Sequence, residues 1–162
     1  MKPRFPHPYT ATITRIGHTQ ATITAPPRPA LAGGPPPELH GDPSSWSPEH
    51  LLVSSLGLCL FITFDSFAAR DNLAVLGWRD TATGVLGKTA TGLAFESFTI
   101  DVELTVDAAD IERARALLDK AAKYCVISKA LQVPVAIEAH IWSHDERAHA
   151  ATLAPDAARV AT

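Results

Sequence analysis

Clusters of basic residues are missing from this chain. Lys and Arg total 14 against 17 Asp and Glu, and the net charge is −3. Phosphate backbones are held by clustered Lys and Arg, so nucleic acid is not an expected partner. The first ten residues, MKPRFPHPYT, contain no apolar core segment, and no secretory signal is visible. The most apolar run, Leu51–Phe64, is interrupted by Ser54, Ser55 and Thr63. It is shorter than the roughly 20 residues a bilayer requires, so no membrane association is expected. The sequence contains no GxSxG, Walker, dinucleotide-binding or HExxH motif, and no internal repeat. Only two cysteines are present, Cys59 and Cys125. Their 66-residue separation excludes a local CxxC motif but not a pair made in space. These features point to a cytoplasmic protein. In that compartment two thiols serve redox or metal chemistry more often than a structural bridge.

The composition that remains is that of an ordinary globular protein, 46% hydrophobic and 19% charged. Its length predicts one domain, assigned to residues 1–142, with an Ala-rich, helical or frayed tail over 143–162. Tyr9–Ile16 alternates through TATITR, Ala21–Thr24 repeats the pattern, and Gly17 lies between, predicting a hairpin. Residues 25–48 hold eight of the 13 prolines, which excludes a regular helix there. A long ordered loop is expected, with a short strand near Glu38–Leu39. Ser47 is a good N-cap, Pro48 suits the first helical position, and Glu49 sits where the helix dipole favours an anion. The helix that starts there should reach about Ala69. Its middle is apolar nearly all round, so it must be covered on most sides, and a second subunit is a natural source of cover. Leu73–Thr83, extending towards Leu86, and Phe95–Val106 read as strands separated by turn residues in GKTATG. Asp107 is the expected cap of a helix from Ala108 to about Lys123, with Ile111, Ala114, Leu117, Leu118 and Ala121 at helical spacing. VISKAL after Cys125 reads as a short helix, and VPVAIEAHIW as a closing strand.

Cys59, mid-helix among apolar residues, fits a small core side chain, and a thiol buried in such surroundings is inert. Reactivity would require a nearby cation or a second thiol. Cys125 directly precedes a short helix, whose N–H groups could stabilise a thiolate there. Glu49 fits either first-turn capping or a catalytic role. His140, His144 and His149, with Asp145 and Glu146, fit a weak metal site, but a solvated surface explains them better and no metal is assigned. The residues by themselves lead to an α+β domain with two cysteines and a redox option.

The stretches WSPEHLLVSSLGLCLFITF and AAKYCVISKAL together resemble the OsmC/Ohr family of thiol peroxidases, over roughly residues 9–142. The resemblance rests on Pro48-Glu49-x-Leu51 opening a helix, on Cys59 ten residues after Glu49, and on Cys125 within KYCVISKAL. It implies an α+β fold in which two chains intertwine as a homodimer, with long central helices packed against antiparallel sheets. It implies a cysteine-based peroxidase without a cofactor, in which Cys59 attacks an organic hydroperoxide, Cys125 resolves the product to a disulfide, and an external dithiol reduces it. In relatives that reductant is often a lipoylated protein. The family also pairs the motif glutamate, here Glu49, with an arginine that lowers the reactive thiol's pKa. At one of the two family positions this chain carries Glu38, and at the other it offers His18 or Thr19, which leaves Arg15 or Arg28, from the same chain or the other. A non-catalytic dimer of the same fold, binding an apolar small molecule at its interface, is the alternative.

Overall fold

A computed structural model describes residues 5–153. They fall into two compact units, divided between Leu52 and Val53. The part of the expected tail beyond residue 153 lies outside the described residues.

In the N-terminal unit the alternating segments form the expected hairpin, β1 (Thr12–Arg15) against β2 (Ala21–Thr24), in register from Thr12↔Thr24 to Arg15↔Ala21. The proline-rich stretch departs from expectation. A third strand, β3 (Leu31–Gly33), pairs antiparallel with β2, whereas Pro37–Leu39 forms a 3-10 turn. The strand falls in the gap between Pro29 and Pro35, where backbone N–H groups are free to join a ladder. Trp46 continues the pairing, donating its N–H to Ala32 O at 2.9 Å. Buried Ser47 then caps helix α1 (Pro48–Arg70) by accepting the His50 N–H at 3.2 Å, as expected of an N-cap serine.

The C-terminal unit contains most of α1, a three-stranded sheet and three further helices. Strands β4 (Gly77–Thr89) and β5 (Gly92–Val106) form a long antiparallel hairpin, and β6 (Val135–Ser143) lies parallel beside β5. Gly92, at φ +125°, closes the hairpin in a conformation that L side chains rarely adopt. Parallel pairing demands a crossover. It is made by α2 (Ile111–Tyr124) and α3 (Val126–Ala130), which meet at Cys125. β4 begins at Gly77, not Leu73, and runs on to Thr89, because its long partner β5 continues the ladder to Gly92. A 3-10 turn (Ala108–Asp110) precedes α2, and the Asp107 side chain makes no capping hydrogen bond. Asp110 instead pairs with Arg113 at 3.2 Å. A fourth helix, α4 (His144–Leu153), follows β6.

Period-two alternation places Phe98, Ile100, Val102, Leu104 and Val106 on one buried face of β5. Leu56, Leu60, Phe64 and Ala68 of α1 and Ala114, Leu117, Leu118 and Ala121 of α2 complete the core of this unit. Each large side chain so buried contributes about 1.5–3 kcal/mol. Trp78 of β4 packs against Phe64 and Phe61, with ring centroids 5.0 and 5.6 Å apart. Gly57 allows the helix to come this close. A Cβ there would lie 2.4 Å from Asp80 Oδ1. Among the described residues, α1 also carries exposed apolar side chains, Leu58 at 58% and Ile62 at 53%. At 23 residues, α1 is the one helix among the described residues long and apolar enough to cross a membrane. It outruns the apolar stretch identified in the sequence, and a core helix has the same length and composition.

Candidate active site

Cys59 projects from the middle of α1, half-buried, and Cys125 is buried at the α2–α3 junction. The fold brings them together as free thiols, with the Cys125 S–H donating to the Cys59 sulfur. The crossover connection explains the encounter. It returns the chain across the sheet to the helix that the sheet packs on, so a 66-residue separation closes to a side-chain contact.

The two thiols have opposite electrostatics. Burial is the largest single influence on Cys59 and opposes its ionisation. It is outweighed by donors: the Ile127 N–H, the Cys125 S–H, the Val126 N–H and the Thr63 hydroxyl. Together they hold the Cys59 thiol below its ordinary value. Burial also dominates at Cys125 and pushes that thiol up. Hydrogen bonds from Ser128 act against the shift, and the neighbouring Cys59 sulfur adds to it. A pair arranged this way ionises first at Cys59 and keeps Cys125 protonated.

This differs from the sequence expectation, in which the N–H groups of VISKAL would stabilise a thiolate at Cys125. Those of Val126 and Ile127 point at Cys59 instead. The ψ of 114° at Cys125 keeps that residue extended and outside both flanking helices. No lysine or arginine is among the groups that lower Cys59. The residues that sequence reasoning missed are therefore the main-chain donors of Val126 and Ile127, together with Thr63, whose single hydroxyl proton is shared between the Cys59 sulfur and Cys59 O at 2.7 Å, and Ser128. Thr63, four residues after Cys59, and Ser128, three after Cys125, left side-chain signals.

Glu49 belongs to the N-terminal unit. Its Oε2 is buried without a hydrogen-bond partner. It lines a mainly apolar cavity of about 560 Å³ with Ile13, Ile23, Leu39, Trp46 and Leu51, and no cation lines that cavity. Arg15 is exposed on β1, and Arg28 is exposed and donates to Ala25 O at 3.4 Å. The histidines of the C-terminal segment are not assembled as ligands. His140 stacks on Trp142 with centroids 3.9 Å apart, and no group of three or more His, Cys, Asp or Glu suited to a metal occurs among the described residues.

The sequence model of the OsmC-like protein family matches residues 41–140, a span that includes both cysteines and Glu49. No curated protein matches the chain in sequence. Several solved structures share its fold. An OsmC-like protein of unknown function from Vibrio cholerae superposes with a TM-score of 0.73 at 18% identity, covering 83% of this chain and 99% of that one. An organic hydroperoxide resistance protein from Legionella pneumophila gives 0.62 at 19% identity, over 82% and 96%. The organic hydroperoxide resistance protein OhrB of Bacillus subtilis gives 0.60 at 21% identity, over 83% and 98%.

Proposed function

Since the chain belongs to the OsmC-like protein family, we propose that it is a cytoplasmic, thiol-dependent reductase of organic hydroperoxides, with Cys59 as nucleophile and Cys125 as resolving thiol. One observation carries this reading: Cys59 touches a second thiol and is held below the ordinary thiol pKa by donors on its sulfur. A thiol that merely filled a core would have burial acting on it alone, and its pKa would rise.

The steps follow from the asymmetry of the pair. The Cys59 thiolate attacks the terminal peroxide oxygen, the O–O bond breaks, and the alkoxide leaves as alcohol after taking a proton. Cys59 becomes a sulfenic acid. Its negative charge is then gone, and with it one of the influences that kept Cys125 protonated. Cys125 loses its proton, attacks the Cys59 sulfur and releases water, leaving a disulfide. Cys125 thus becomes reactive only after Cys59 has been oxidised. A dithiol returns the pair to its reduced state. The apolar neighbours of Cys59 on α1, Leu58 and Phe61 among them, favour an organic peroxide over hydrogen peroxide. The exposed Leu58 and Ile62, one helical turn apart, support a homodimer in which α1 is covered by a second copy.

Titrating the reduced protein with cumene hydroperoxide and counting thiols tests the reading. One equivalent should consume both thiols in wild type, whereas Cys125→Ser should stop at a trappable sulfenic acid. Survival of both thiols, under conditions where a known thiol peroxidase turns over, sinks it. The cavity beside Glu49 favours a second reading, a non-catalytic dimer that holds an apolar small molecule, because the carboxylate has no cation to work with. The pH profile of Cys59 alkylation separates the two. A midpoint near pH 6 supports the enzyme, and one above the free-thiol value of about 8.5 supports the binder.

A further inference from the structure

Glu49 Oε2 is buried and has no hydrogen-bond partner. A buried acceptor left without a donor is destabilising, the more so on a charged group, and native proteins nearly always supply a partner. A carboxylate can only accept, so what Glu49 lacks is a donor. The nearest histidine in sequence, His50, is hydrogen-bonded to Ser47 Oγ at 2.8 Å. No Lys, Arg or His lines the cavity into which Glu49 is built. That cavity of about 560 Å³ lies wholly within the N-terminal unit, and its size is that of a small-molecule site. Strands β1 and β2 give it Ile13 and Ile23, the proline-rich stretch Leu39 and Trp46, and α1 Leu51. An apolar wall offers water few partners, so solvent is a poor substitute for the donor there. Trp46 adds an aromatic ring, and aromatic rings attract ammonium groups.

Resting on the cavity of the second reading above, and on neither thiol, we propose that the N-terminal unit binds a small primary amine, whose apolar body fills the cavity and whose ammonium donates to Glu49 Oε2. Each feature of the site excludes a class of ligand. A carboxylic acid or a phosphate would set an anion against the Glu49 carboxylate. A hydrocarbon would fill the apolar wall and leave Oε2 without its donor. A quaternary ammonium matches the charge but has no N–H to give. An alcohol has a donor but no charge, and a hydrogen bond between charged groups is about twice as strong as a neutral one. A primary ammonium brings both charge and N–H. The ligand is bound without covalent change. The groups that act on the Cys59 sulfur all belong to the C-terminal unit, so amine binding is a function separate from the thiol chemistry.

Isothermal titration calorimetry of the full-length protein with octylamine, octanol and octanoate tests the proposal, because the three share an alkyl chain and differ in the head group. Octylamine should bind about ten- to a hundredfold more tightly than octanol, and octanoate more weakly than either. Glu49→Gln, which keeps the shape of the side chain, should bring the amine-to-alcohol ratio towards one. Taking the ratio cancels general damage from the substitution. Ala21→Phe, in the cavity wall on β2, should weaken octylamine and octanol together while circular dichroism stays unchanged. The amine preference should persist in about 0.5 M salt, since a buried pair is little screened. A preference below about threefold, or one that Glu49→Gln leaves in place, overturns the proposal. So does a preference lost in salt, which would be no more than attraction by the net charge of −3. Binding unmoved by Ala21→Phe overturns the location, and a wild type that takes up no octylamine, as it would if a second copy filled the cavity, overturns the site itself. The two readings fail separately. Oxidation of both thiols by peroxide with no amine preference leaves the peroxidase and removes this site. Thiols that survive peroxide, beside a Glu49-dependent amine preference, remove the peroxidase and leave the site.

Discussion

Replacing Val126 by proline should raise the pKa of Cys59 while leaving the fold intact. The Val126 N–H is one of the donors directed at the Cys59 sulfur, and proline removes that donor and little else. Val126 is the first residue of α3, the helical position where proline is best tolerated. Cys125 before it has φ −60° and ψ 114°, close to the extended conformation that a residue preceding proline prefers. The Val126 side chain is 70% exposed, so no core packing is lost. A hydrogen bond to a charged acceptor contributes about 1.5–3 kcal/mol. Cys59 is only half-buried and water can replace part of that, so about 1 kcal/mol is expected, equivalent to roughly 0.5–1 pKa unit. The assay is the rate of iodoacetamide alkylation across about pH 4 to 10, read by mass spectrometry on the peptide that contains Cys59. Val126→Ala, which keeps the N–H, is the control and should follow wild type. On the acid side of the midpoint, alkylation of Val126→Pro should be about three- to tenfold slower. Equal midpoints for the two variants, with unchanged circular dichroism, would refute main-chain stabilisation of this thiolate.

The remaining predictions concern stability and assembly. Because the folded pKa of Cys59 lies below that of the unfolded thiol, about 8.5, its contribution to stability is present above that pH and is lost as pH falls through the folded value. Cys125, raised by folding, acts in the opposite sense, its contribution being present below about 8.5 and lost as pH rises through its folded value. The difference in Tm between reduced wild type and Cys59→Ser should therefore widen as pH rises towards about 8.5, and a difference that is flat or widens towards acid contradicts the assignment. Gly57→Ala should destabilise by about 1–2 kcal/mol, because the new Cβ meets Asp80 Oδ1 while the Trp78 Nε1–H holds Oδ2 at 2.7 Å. In an Asp80→Ala background the same change should become stabilising by about 0.5–1 kcal/mol, the helix propensity gain, and urea denaturation that shows one sign in both backgrounds excludes the clash. Leu58→Glu with Ile62→Glu should halve the mass seen by sedimentation equilibrium without unfolding the chain, and a wild-type protein that is already monomeric removes the case for α1 as a subunit interface.

Patterns that local chemistry dictates were legible without coordinates. The alternation of Phe98 through Val106, the Ser47 cap and the helical spacing of Ile111 through Ala121 each appear where the residues place them. What escaped was decided by pairing partners, which no local window contains. β3 forms because β2 has a free edge, and β4 runs to Thr89 because β5 does. At the site, the two cysteines were found through their flanking motifs, but the activating groups were sought among arginines because a sequence displays only side chains. Two of the four donors on Cys59 are main-chain N–H groups, and every non-proline residue has one, so composition and spacing give no sign of where they point. The two findings on charge then bear on one another. Glu49 carries a buried oxygen with no donor, and Cys59 is lowered with no cation. In the arrangement implied by the family resemblance, a single arginine would serve both groups. Here Cys59 has its own donors, which frees Glu49 from having to position a guanidinium for the thiol. Glu49→Gln should accordingly leave the midpoint of Cys59 alkylation unchanged within about 0.3 unit, since the donors on the sulfur remain. A downward or upward movement of a full unit would instead mean that Glu49 acts on the thiol through a cation brought by a second copy.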